Sequence, residues 1–351
     1  MKSLPYYDDL TARQTIKLRE LIKTLPPFAK EFFRAIDSTT QVRTRIAYAY
    51  DLRVFFHFLI DENPAYRNYS VLDFKVSDLD KIESVDLEEY MEYLKVYKRE
   101  DNEMITNGER GLKRKMSALR SFYSYYFKHQ YIATNPTLLV DMPKLHDKAI
   151  IRLDIDEVAM LLDYVESAGE HLTGQALAYY QKTKNRDLAI LTLLLGTGIR
   201  VSECVGLNLT DVDFKNNGIK VTRKGGNEMV VYFGPEVEKA LKRYLEVREG
   251  ITPLAGHEHA LFYSAQRKRI GVQAVENMVK KYARAITTTK KITPHKLRST
   301  YGTTLYQETG DIYLVADVLG HKDVNTTKKH YAALDDARRR QAATAVKLRE
   351  E

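Results

Sequence analysis

Apolar side chains recur at helical spacing through much of the first 140 residues. The first set follows the polar run at 38–40 and consists of Tyr48, Leu52, Phe55, Phe56 and Leu59. A shorter set covers 87–97. The third set, which has basic residues on or near the opposite side of its helix, consists of Leu112, Met116, Leu119, Phe122, Tyr123 and Tyr126. Amphipathic helices of this kind predict a small all-α bundle over residues 38–141.

The segments on either side of this bundle have a different pattern. A charged helical pattern at 12–36 is interrupted by Pro26 and Pro27, because consecutive prolines cannot continue a helix. We therefore expect a short N-terminal helical extension over 1–37. Residues 142–151 carry a proline, several charges and little periodicity, so they predict a linker between two domains.

Beyond the linker, helical patterns surround one β-rich region. The run GIKVTRKGGNEMVVYF at 218–233 has two β-rich halves around Gly225 and Gly226, which predicts a hairpin. Helical patterns cover 186–195, 236–248, 272–286, 294–309 and 314–319. The chain is thus predicted to be mainly α with a small antiparallel β-sheet in a C-terminal domain at 152–334, followed by a tail at 335–351.

Composition narrows the class of partner. The 351 residues carry a formal charge of +8, with a pI near 9.1, which favours a polyanionic partner such as nucleic acid. Basic residues near the 112–126 stripe are candidates for contacts with DNA, although Lys-rich faces are also typical of solvated helices. With Arg223 of the hairpin, the candidates are Lys113, Arg114, Lys115, Arg120 and Arg223.

The cysteine count and the length of the apolar runs also indicate in which cellular compartment the protein acts. Cys204 is the single cysteine, so the chain has no intramolecular disulfide and no Cys-rich zinc site. The longest apolar run, at 188–195, is far shorter than the ~20 residues of a membrane span, and the acidic N-terminus does not resemble a secretory signal. We expect a cytoplasmic protein that does not bind membranes.

Several kinds of cofactor site are missing from the sequence. It contains no P-loop motif, and Gly196-Thr197-Gly198 lacks the remaining glycine of a dinucleotide-binding turn. His257 and His259 are better explained as an exposed loop than as a metal site, because no further ligands lie near them in the sequence. No cluster of carboxylates suggests a two-metal nuclease. We therefore expect neither a metal nor a cofactor.

A phosphoryl transfer without metal needs cations for the phosphate oxygens, a nucleophile and a proton donor for the leaving group. Candidates occur in GTGIRVSE, VTRKGGN, TPHKLRST, VLGHKD and TTKKHYAAL. Each alone has an ordinary structural explanation, such as a salt bridge, a turn lysine, a surface helix, a helix C-cap or an amphipathic aromatic. Together, in this order, they favour a shared site. The candidates are Arg200, Lys224, His295, Arg298, His321 and Tyr331.

This ordered set resembles the tyrosine site-specific recombinases, also called phage-integrase-type recombinases, across about 186–334. The preceding helical domain resembles the core-binding domain of that family. KNRDLAI, VTRKGG, RYLEVR and TPHKLR are most similar to the single-protein Xer recombinases of streptococci and lactococci. Ser299 departs from the family pattern, which usually has a second His at this position. Because His295 and Arg298 are intact, we expect this change to alter only a supporting contact.

The resemblance implies a mechanism. Tyr331 attacks the scissile phosphate to give a 3′-phosphotyrosyl enzyme and a free 5′-hydroxyl, without ATP or metal. Lys224 protonates the leaving 5′-oxygen, and His295 manages the proton of the tyrosine. The transition-state oxygens are bound by three cationic groups, Arg200, Arg298 and His321.

The resemblance also implies partners. Two domains form a C-shaped clamp on duplex DNA with an inverted-repeat site, four protomers assemble on two sites, and the tail helix is exchanged between protomers. Chromosome dimer resolution, favoured by the Xer-like segments, competes with integration or excision of a mobile element. The need for a DNA translocase or accessory factor stays open. Two less favoured alternatives are a type IB topoisomerase and a non-catalytic DNA-binding regulator. The topoisomerase would use the same chemistry but act as a monomer. The regulator would have no use for a nucleophile such as Tyr331.

Overall fold

A computed structural model of the chain describes residues 5–99, 101–146, 150–223, 226–321 and 324. By internal contacts the chain divides into two compact units, Met1–Lys148 and Ala149–Glu351. The described part of the predicted linker at 142–151 contains neither helix nor strand. Within the described ranges, no helix combines the length and the apolar character that crossing a membrane requires.

The first unit is mainly helical. Its elements are α1 (Tyr6–Ile22), α2 (Ala29–Ala35), α3 (Val42–Glu62), α4 (Ser84–Tyr93), β1 (Val96–Lys98), β2 (Met104–Thr106) and α5 (Glu109–Lys128). Helices α3 and α5 confirm the two long amphipathic predictions. Their apolar faces meet in an aromatic core in which Phe56 and Phe122 pack edge to face, with ring centroids 6.2 Å apart.

Helix α4 is shorter than the sequence predicts. The expected helix over 87–97 ends at Tyr93, and Val96–Lys98 instead forms a strand that pairs antiparallel with Met104–Thr106. The side chain of Tyr97 is buried while its two neighbours are exposed, which is the two-residue alternation of a strand. The expectation of an all-α bundle is therefore wrong at this hairpin.

The N-terminal helices pack as part of the same unit. Leu18 of α1 and Phe32 and Phe33 of α2 are buried in one hydrophobic core with Phe55 of α3. The interruption predicted at Pro26 and Pro27 falls between α1 and α2. The helices of the segment predicted as an N-terminal extension over 1–37 bury their apolar faces against the bundle, because short amphipathic helices are stabilised mainly by such packing.

The second unit combines helices with a small sheet. Its helices are α6 (Ile155–Ser167), α7 (Gly174–Thr197), α8 (Val201–Gly206), α9 (Pro235–Glu249), α10 (Val272–Ile286), α11 (Pro294–Thr309) and α12 (Ile312–Leu319). Strands β3 (Val212–Asp213), β4 (Gly218–Thr222) and β5 (Glu228–Tyr232) pair antiparallel in that order. The β4–β5 pair confirms the predicted hairpin.

Helix α7 lies at the centre of this unit, packed against α6, α9 and α11. Its C-terminal half is almost entirely apolar and buried, as the run at 188–195 predicts. A Cβ atom at Gly196 would lie 2.5 Å from Cγ2 of Val237, so the glycine permits the close approach of α9. The buried helix gives the turn that follows it a rigid base.

Helix α11 begins where the sequence predicts. Thr293 is the N-cap residue, Pro294 occupies the first helical position, and the Thr293 carbonyl accepts hydrogen bonds from the N–H groups of Lys296 and Leu297. Proline fits there because its missing N–H has no intrahelical partner in any case. The start of α11 sets the positions of His295 and Arg298.

Candidate active site

Arg200 lies in the turn that joins α7 to α8. Helix α7 ends at Gly198, whose left-handed backbone (φ 62°) reverses the chain direction. The carboxylate of Glu203 then accepts hydrogen bonds from the Arg200 backbone N–H (2.8 Å) and from its Nη1 (2.8 Å). The turn and the buried Glu203 together fix the Arg200 guanidinium at the surface of the unit.

Arg298 is held beneath the same turn. Its Nη1 donates to the carbonyl oxygen of Gly198 across 2.6 Å, and its Nη2 donates to the carbonyl oxygen of Leu319 at the end of α12. The side chain is buried, so these bonds fix the plane of the guanidinium. Arg298 thereby connects three segments that are distant in sequence.

The end of α12 places His321 beside the two arginines. Gly320 adopts a left-handed conformation (φ 61°), its N–H donates to the Asp317 carbonyl (2.7 Å), and the His321 N–H donates to the Ala316 carbonyl (2.9 Å). This pair of bonds is a Schellman motif. Arg200 Nη2 donates to the Gly320 carbonyl across 3.4 Å, which brings the turn before His321 to Arg200.

Two residues of this cluster were not assigned to it from the sequence. Glu203 was not singled out, yet its buried carboxylate binds Arg200 and also Arg223 Nη1 (3.2 Å). Arg223 was expected to contact DNA, but its side chain is directed at Glu203 and the end of α12. A Glu at the third helical position often accepts from the backbone N–H of the N-cap residue, as Glu203 does from Arg200, and this spacing is the sequence signal that points to Glu203.

Of the other predicted catalytic residues, the structure describes His295. His295 lies in the first turn of α11, exposed, one turn before Arg298. Ser299 donates from Oγ to the His295 carbonyl oxygen across 3.1 Å, so it contacts the helix backbone. Lys224 and Tyr331 lie outside the described residues, as does the tail at 335–351.

The structure does describe the base of the hairpin that carries Lys224. The Arg223 N–H donates to the Asn227 carbonyl (2.7 Å), and the Gly226 N–H donates to the Arg223 carbonyl (3.0 Å). Because Lys224 follows Arg223 directly, the hydrogen bonds of Arg223 anchor the chain one residue before Lys224.

Two further tyrosines are close to the motifs and could be considered as nucleophiles. Tyr301 packs against Gly198, and burial raises the pKa of its hydroxyl, which disfavours the phenolate. Tyr313 in α12 is exposed. Neither replaces Tyr331 as the predicted nucleophile.

The predicted DNA-binding residues of the first unit have different surroundings. Lys115 is buried and donates to Oδ1 of Asp51 (3.4 Å), whereas Arg114 is half-exposed and binds the other oxygen of the same carboxylate. Arg120 donates to the carbonyl oxygens of Thr137 (3.0 Å) and Val140 (2.6 Å). Lys113 is half-buried. Lys115 and Arg120 therefore have structural partners, while the DNA contacts remain predictions.

The cluster is suited to bind an anion. The guanidinium groups of Arg200 and Arg223 pair with the Glu203 carboxylate, and Arg298 binds the carbonyl oxygens of Gly198 and Leu319 beside them, so three guanidinium groups accompany one carboxylate among these described contacts. Guanidinium forks match phosphate oxygens in geometry and charge. Among the described residues, no group of three or more His, Cys, Asp and Glu side chains could hold a metal ion, and this includes the loop of His257 and His259.

Comparison with known proteins identifies relatives that align along most of the chain. A tyrosine recombinase XerC of Caldanaerobacter subterraneus subsp. tengcongensis is 35% identical over 354 aligned positions, covering 97% of this chain and 92% of the relative. A tyrosine recombinase XerS of Lactococcus lactis subsp. cremoris is 31% identical, covering 88% and 92%.

Solved structures share the fold. The XerH site-specific recombinase in a post-cleavage complex with a palindromic difH substrate has a TM-score of 0.62 and 19% identity, covering 86% of this chain and 79% of that one. A lambda integrase dimer bound to a core site has a TM-score of 0.61 and 16% identity, covering 86% and 93%. The phage integrase family itself matches residues 152–338, which contain every candidate catalytic residue. This chain belongs to the phage integrase family and is a tyrosine recombinase, an enzyme that cleaves and rejoins DNA.

Proposed function

We propose that this protein is a site-specific recombinase that exchanges strands of duplex DNA through a 3′-phosphotyrosyl intermediate and resolves chromosome dimers. The observation that carries the proposal is the convergence of Arg200, Arg298 and the turn before His321. Such a cluster can bind the non-bridging oxygens of one phosphodiester and stabilise the charge that they gain in the pentacoordinate transition state.

Each chemical step has a candidate residue. The hydroxyl oxygen of Tyr331 attacks phosphorus and the bond to the 5′-oxygen breaks, while His295 takes the tyrosine proton. Lys224 gives a proton to the departing 5′-oxygen. In rejoining, a 5′-hydroxyl attacks the phosphotyrosine and the tyrosine oxygen leaves. The phosphodiester energy is kept in the intermediate, so the exchange requires no ATP.

The Xer-type role is supported by the relatives. Those named XerC and XerS cover 97% and 88% of this chain, so the likeness includes the first unit as well as the catalytic one. A chromosomal substrate also implies a cytoplasmic location. The domain limits expected from the sequence, 38–141 for DNA binding and 152–334 for catalysis, are part of this proposal.

The proposed assembly is a homotetramer on two inverted-repeat sites, in which the tail at 335–351 is exchanged between protomers. The palindromic substrate of the XerH complex supports an inverted-repeat target. This assembly could act alone or could require activation by a DNA translocase or accessory factor. Recombination by the purified protein alone would show that no such activator is required.

The test is to map covalent adducts. The protein is incubated with fragmented, nicked DNA of its own host, the mixture is denatured, and the DNA attached to the protein is sequenced. We expect adducts at one inverted-repeat site near the replication terminus. Adducts at the ends of a mobile element would instead identify an integrase. Relaxation of arbitrary supercoiled DNA by monomers would identify a type IB topoisomerase.

Two variants make this test specific. Tyr331→Phe should bind the same DNA and form no adduct, because the nucleophilic oxygen is removed. Tyr313→Phe, which removes an exposed hydroxyl from α12, should form adducts like the wild type. Binding without adducts from either wild type or variants would point to a DNA-binding regulator.

A further inference from the structure

Arg223 has a position that neither the catalytic mechanism nor DNA binding explains. It lies directly after β4, and its side chain is only 9% exposed. Nη1 lies 3.2 Å from Oε2 of Glu203, whose other oxygen, Oε1, accepts the hydrogen bond from Arg200. One carboxylate thus links the catalytic Arg200 to the base of the hairpin that carries Lys224.

The same guanidinium also binds the end of α12. Nη1 donates to the Leu319 carbonyl (3.2 Å) and Nη2 donates to the Val318 carbonyl (2.8 Å). Carbonyl groups in the last turn of a helix have no intrahelical partner, so a cation there satisfies them and interacts favourably with the helix dipole. Arg223 therefore caps the helix that immediately precedes His321.

Gly320 allows this contact. A Cβ atom at that position would lie 3.0 Å from both Cζ and Nε of Arg223, which is closer than ordinary van der Waals contact. The guanidinium is thus packed against the backbone of Gly320 between α12 and His321. Glycine at 320 serves the left-handed cap of α12 and also leaves room for Arg223.

We infer that Arg223 is a positioning residue that fixes the Lys224 hairpin and the His321 turn relative to Arg200. This inference rests on the proposed function, because its main readout is DNA cleavage. It replaces the DNA contact that the sequence predicts for Arg223 with an internal role. A lysine at 223 would keep one positive charge, but a single ammonium lacks the planar fork that reaches Glu203 and two carbonyls together.

The test compares Arg223→Ala and Arg223→Lys with Lys220→Ala under single-turnover conditions at saturating protein. Lys220 is a matched control, because it lies on β4 and its side chain forms an exposed ion pair with Glu228 (3.3 Å). We expect Arg223→Ala to bind DNA within about twofold of wild type and to cleave about 100-fold more slowly, since displacements near 1 Å can cost that much. Arg223→Lys should be intermediate, and Lys220→Ala should match wild type.

A substrate with a 5′-thiol leaving group separates the effect of Arg223 on the Lys224 hairpin from its effect on the His321 turn. A thiolate leaves without a proton from Lys224, so this substrate should restore part of the cleavage rate of Arg223→Ala. The rate should stay below that of the wild type, because the His321 turn still lacks its contacts with Arg223. Wild-type rates for Arg223→Ala would overturn the inference, as would weakened DNA binding with an unchanged saturating rate, which would identify a DNA ligand.

A readout without DNA keeps the inference separate from the proposed function. Amide hydrogen exchange of a peptide covering 312–321 should be faster in Arg223→Ala and Arg223→Lys than in wild type, while the buried α7 stays protected. Unchanged exchange would contradict the capping role. If the wild type itself forms no covalent adduct, the proposed function fails, whereas the exchange result still decides whether Arg223 holds α12.

Discussion

Arg298 donates a hydrogen bond of 2.6 Å to the main-chain carbonyl of Gly198, 100 positions earlier in the chain. Gly198 ends α7 two residues before Arg200, so this bond fixes Arg298 relative to the turn that carries Arg200. The geometry of the proposed phosphate site thus depends on main-chain positions as well as on the charged side chains.

Arg298→Lys should abolish most cleavage while keeping the charge. An ammonium cannot bind the carbonyls of both Gly198 and Leu319 in the geometry of a guanidinium, and an unsatisfied buried carbonyl costs about 1–3 kcal/mol of unfolding free energy. We expect about 100-fold slower single-turnover cleavage. Denaturant unfolding and adduct formation measure the two effects.

Arg243→Lys is the control for this substitution. Arg243 forms a half-exposed pair with Glu166 (2.7 Å), and such pairs contribute about 0–1 kcal/mol. Its replacement should leave cleavage unchanged. Equal losses in the two variants would show that the effect of Arg298→Lys is not specific to the site.

Gly198→Ala should be more destabilising than Gly174→Ala. Both glycines have left-handed backbones, with φ of 62° and 55°, so either substitution by alanine should lower the free energy of unfolding by about 1–2 kcal/mol. At Gly198 the new Cβ would also clash with Cδ1 of Tyr301 and lie 2.9 Å from Cδ2 of Leu319, whereas at Gly174 no atom of the described residues beyond its chain neighbours lies within 4 Å. Overpacking adds about 1–3 kcal/mol. Urea unfolding of both variants measures the difference, and similar losses would exclude a packing effect.

Lys115→Ala should destabilise the first unit. The Lys115 side chain is 7% exposed and donates to buried Asp51; because Arg114 still pairs with this carboxylate in the variant, the loss is that of one hydrogen bond to a charged group, about 1.5–3 kcal/mol. Denaturant unfolding measures this loss. Lys113→Ala, at a half-buried position in the same helix, is the control and should change the unfolding free energy by less than about 1 kcal/mol.

The decrease in unfolding free energy caused by Lys115→Ala should depend on pH. Burial raises the pKa of Asp51, and this outweighs the opposing effect of Lys115 and Arg114. A raised carboxyl pKa contributes stability that is present below the ordinary 3.8 and lost as pH rises through the folded-state pKa. Lys115 lowers this pKa, so its removal raises the folded-state pKa of Asp51 further. The difference between wild type and Lys115→Ala should therefore shrink as pH falls from neutral through the two folded-state pKa values, because Asp51 then becomes neutral in both proteins. A difference that grows on acidification would contradict this account.

Cys204 should report the opening of α8. Burial raises the pKa of its thiol to about 12 from the ordinary 9.0, so the reactive thiolate is rare in the native state. The raised pKa contributes stability below pH 9.0 that is lost as pH rises through about 12. Thiol labelling near pH 8 should be at least ~1000-fold slower in native than in unfolded protein, as expected for a rarely populated open state. Rapid native labelling would show that α8 opens readily beside Glu203.

Local signals predicted much of the fold. Thr293-Pro294 marked the start of α11, the paired glycines marked the β4–β5 turn, and the 188–195 run marked the buried part of α7. Each signal depends on residues close together in the sequence, where capping, turn geometry and apolar spacing act directly. The ordered motifs likewise predict Arg200, His295, Arg298 and His321 as site residues, and the structure brings Arg200, Arg298 and the turn before His321 together.

Other features depended on partners far away in the chain. Residue type alone does not distinguish the buried Lys115 from the half-exposed Arg114 on the same carboxylate, nor does it show that Arg223 has acceptors on α8 and α12. The DNA contact of Arg223 stays a prediction. The sequence by itself determined the chemical groups and most helices of this protein. Only the tertiary structure decided which carboxylate and carbonyl oxygens those groups bind, because long-range packing brings together acceptors that no local pattern records.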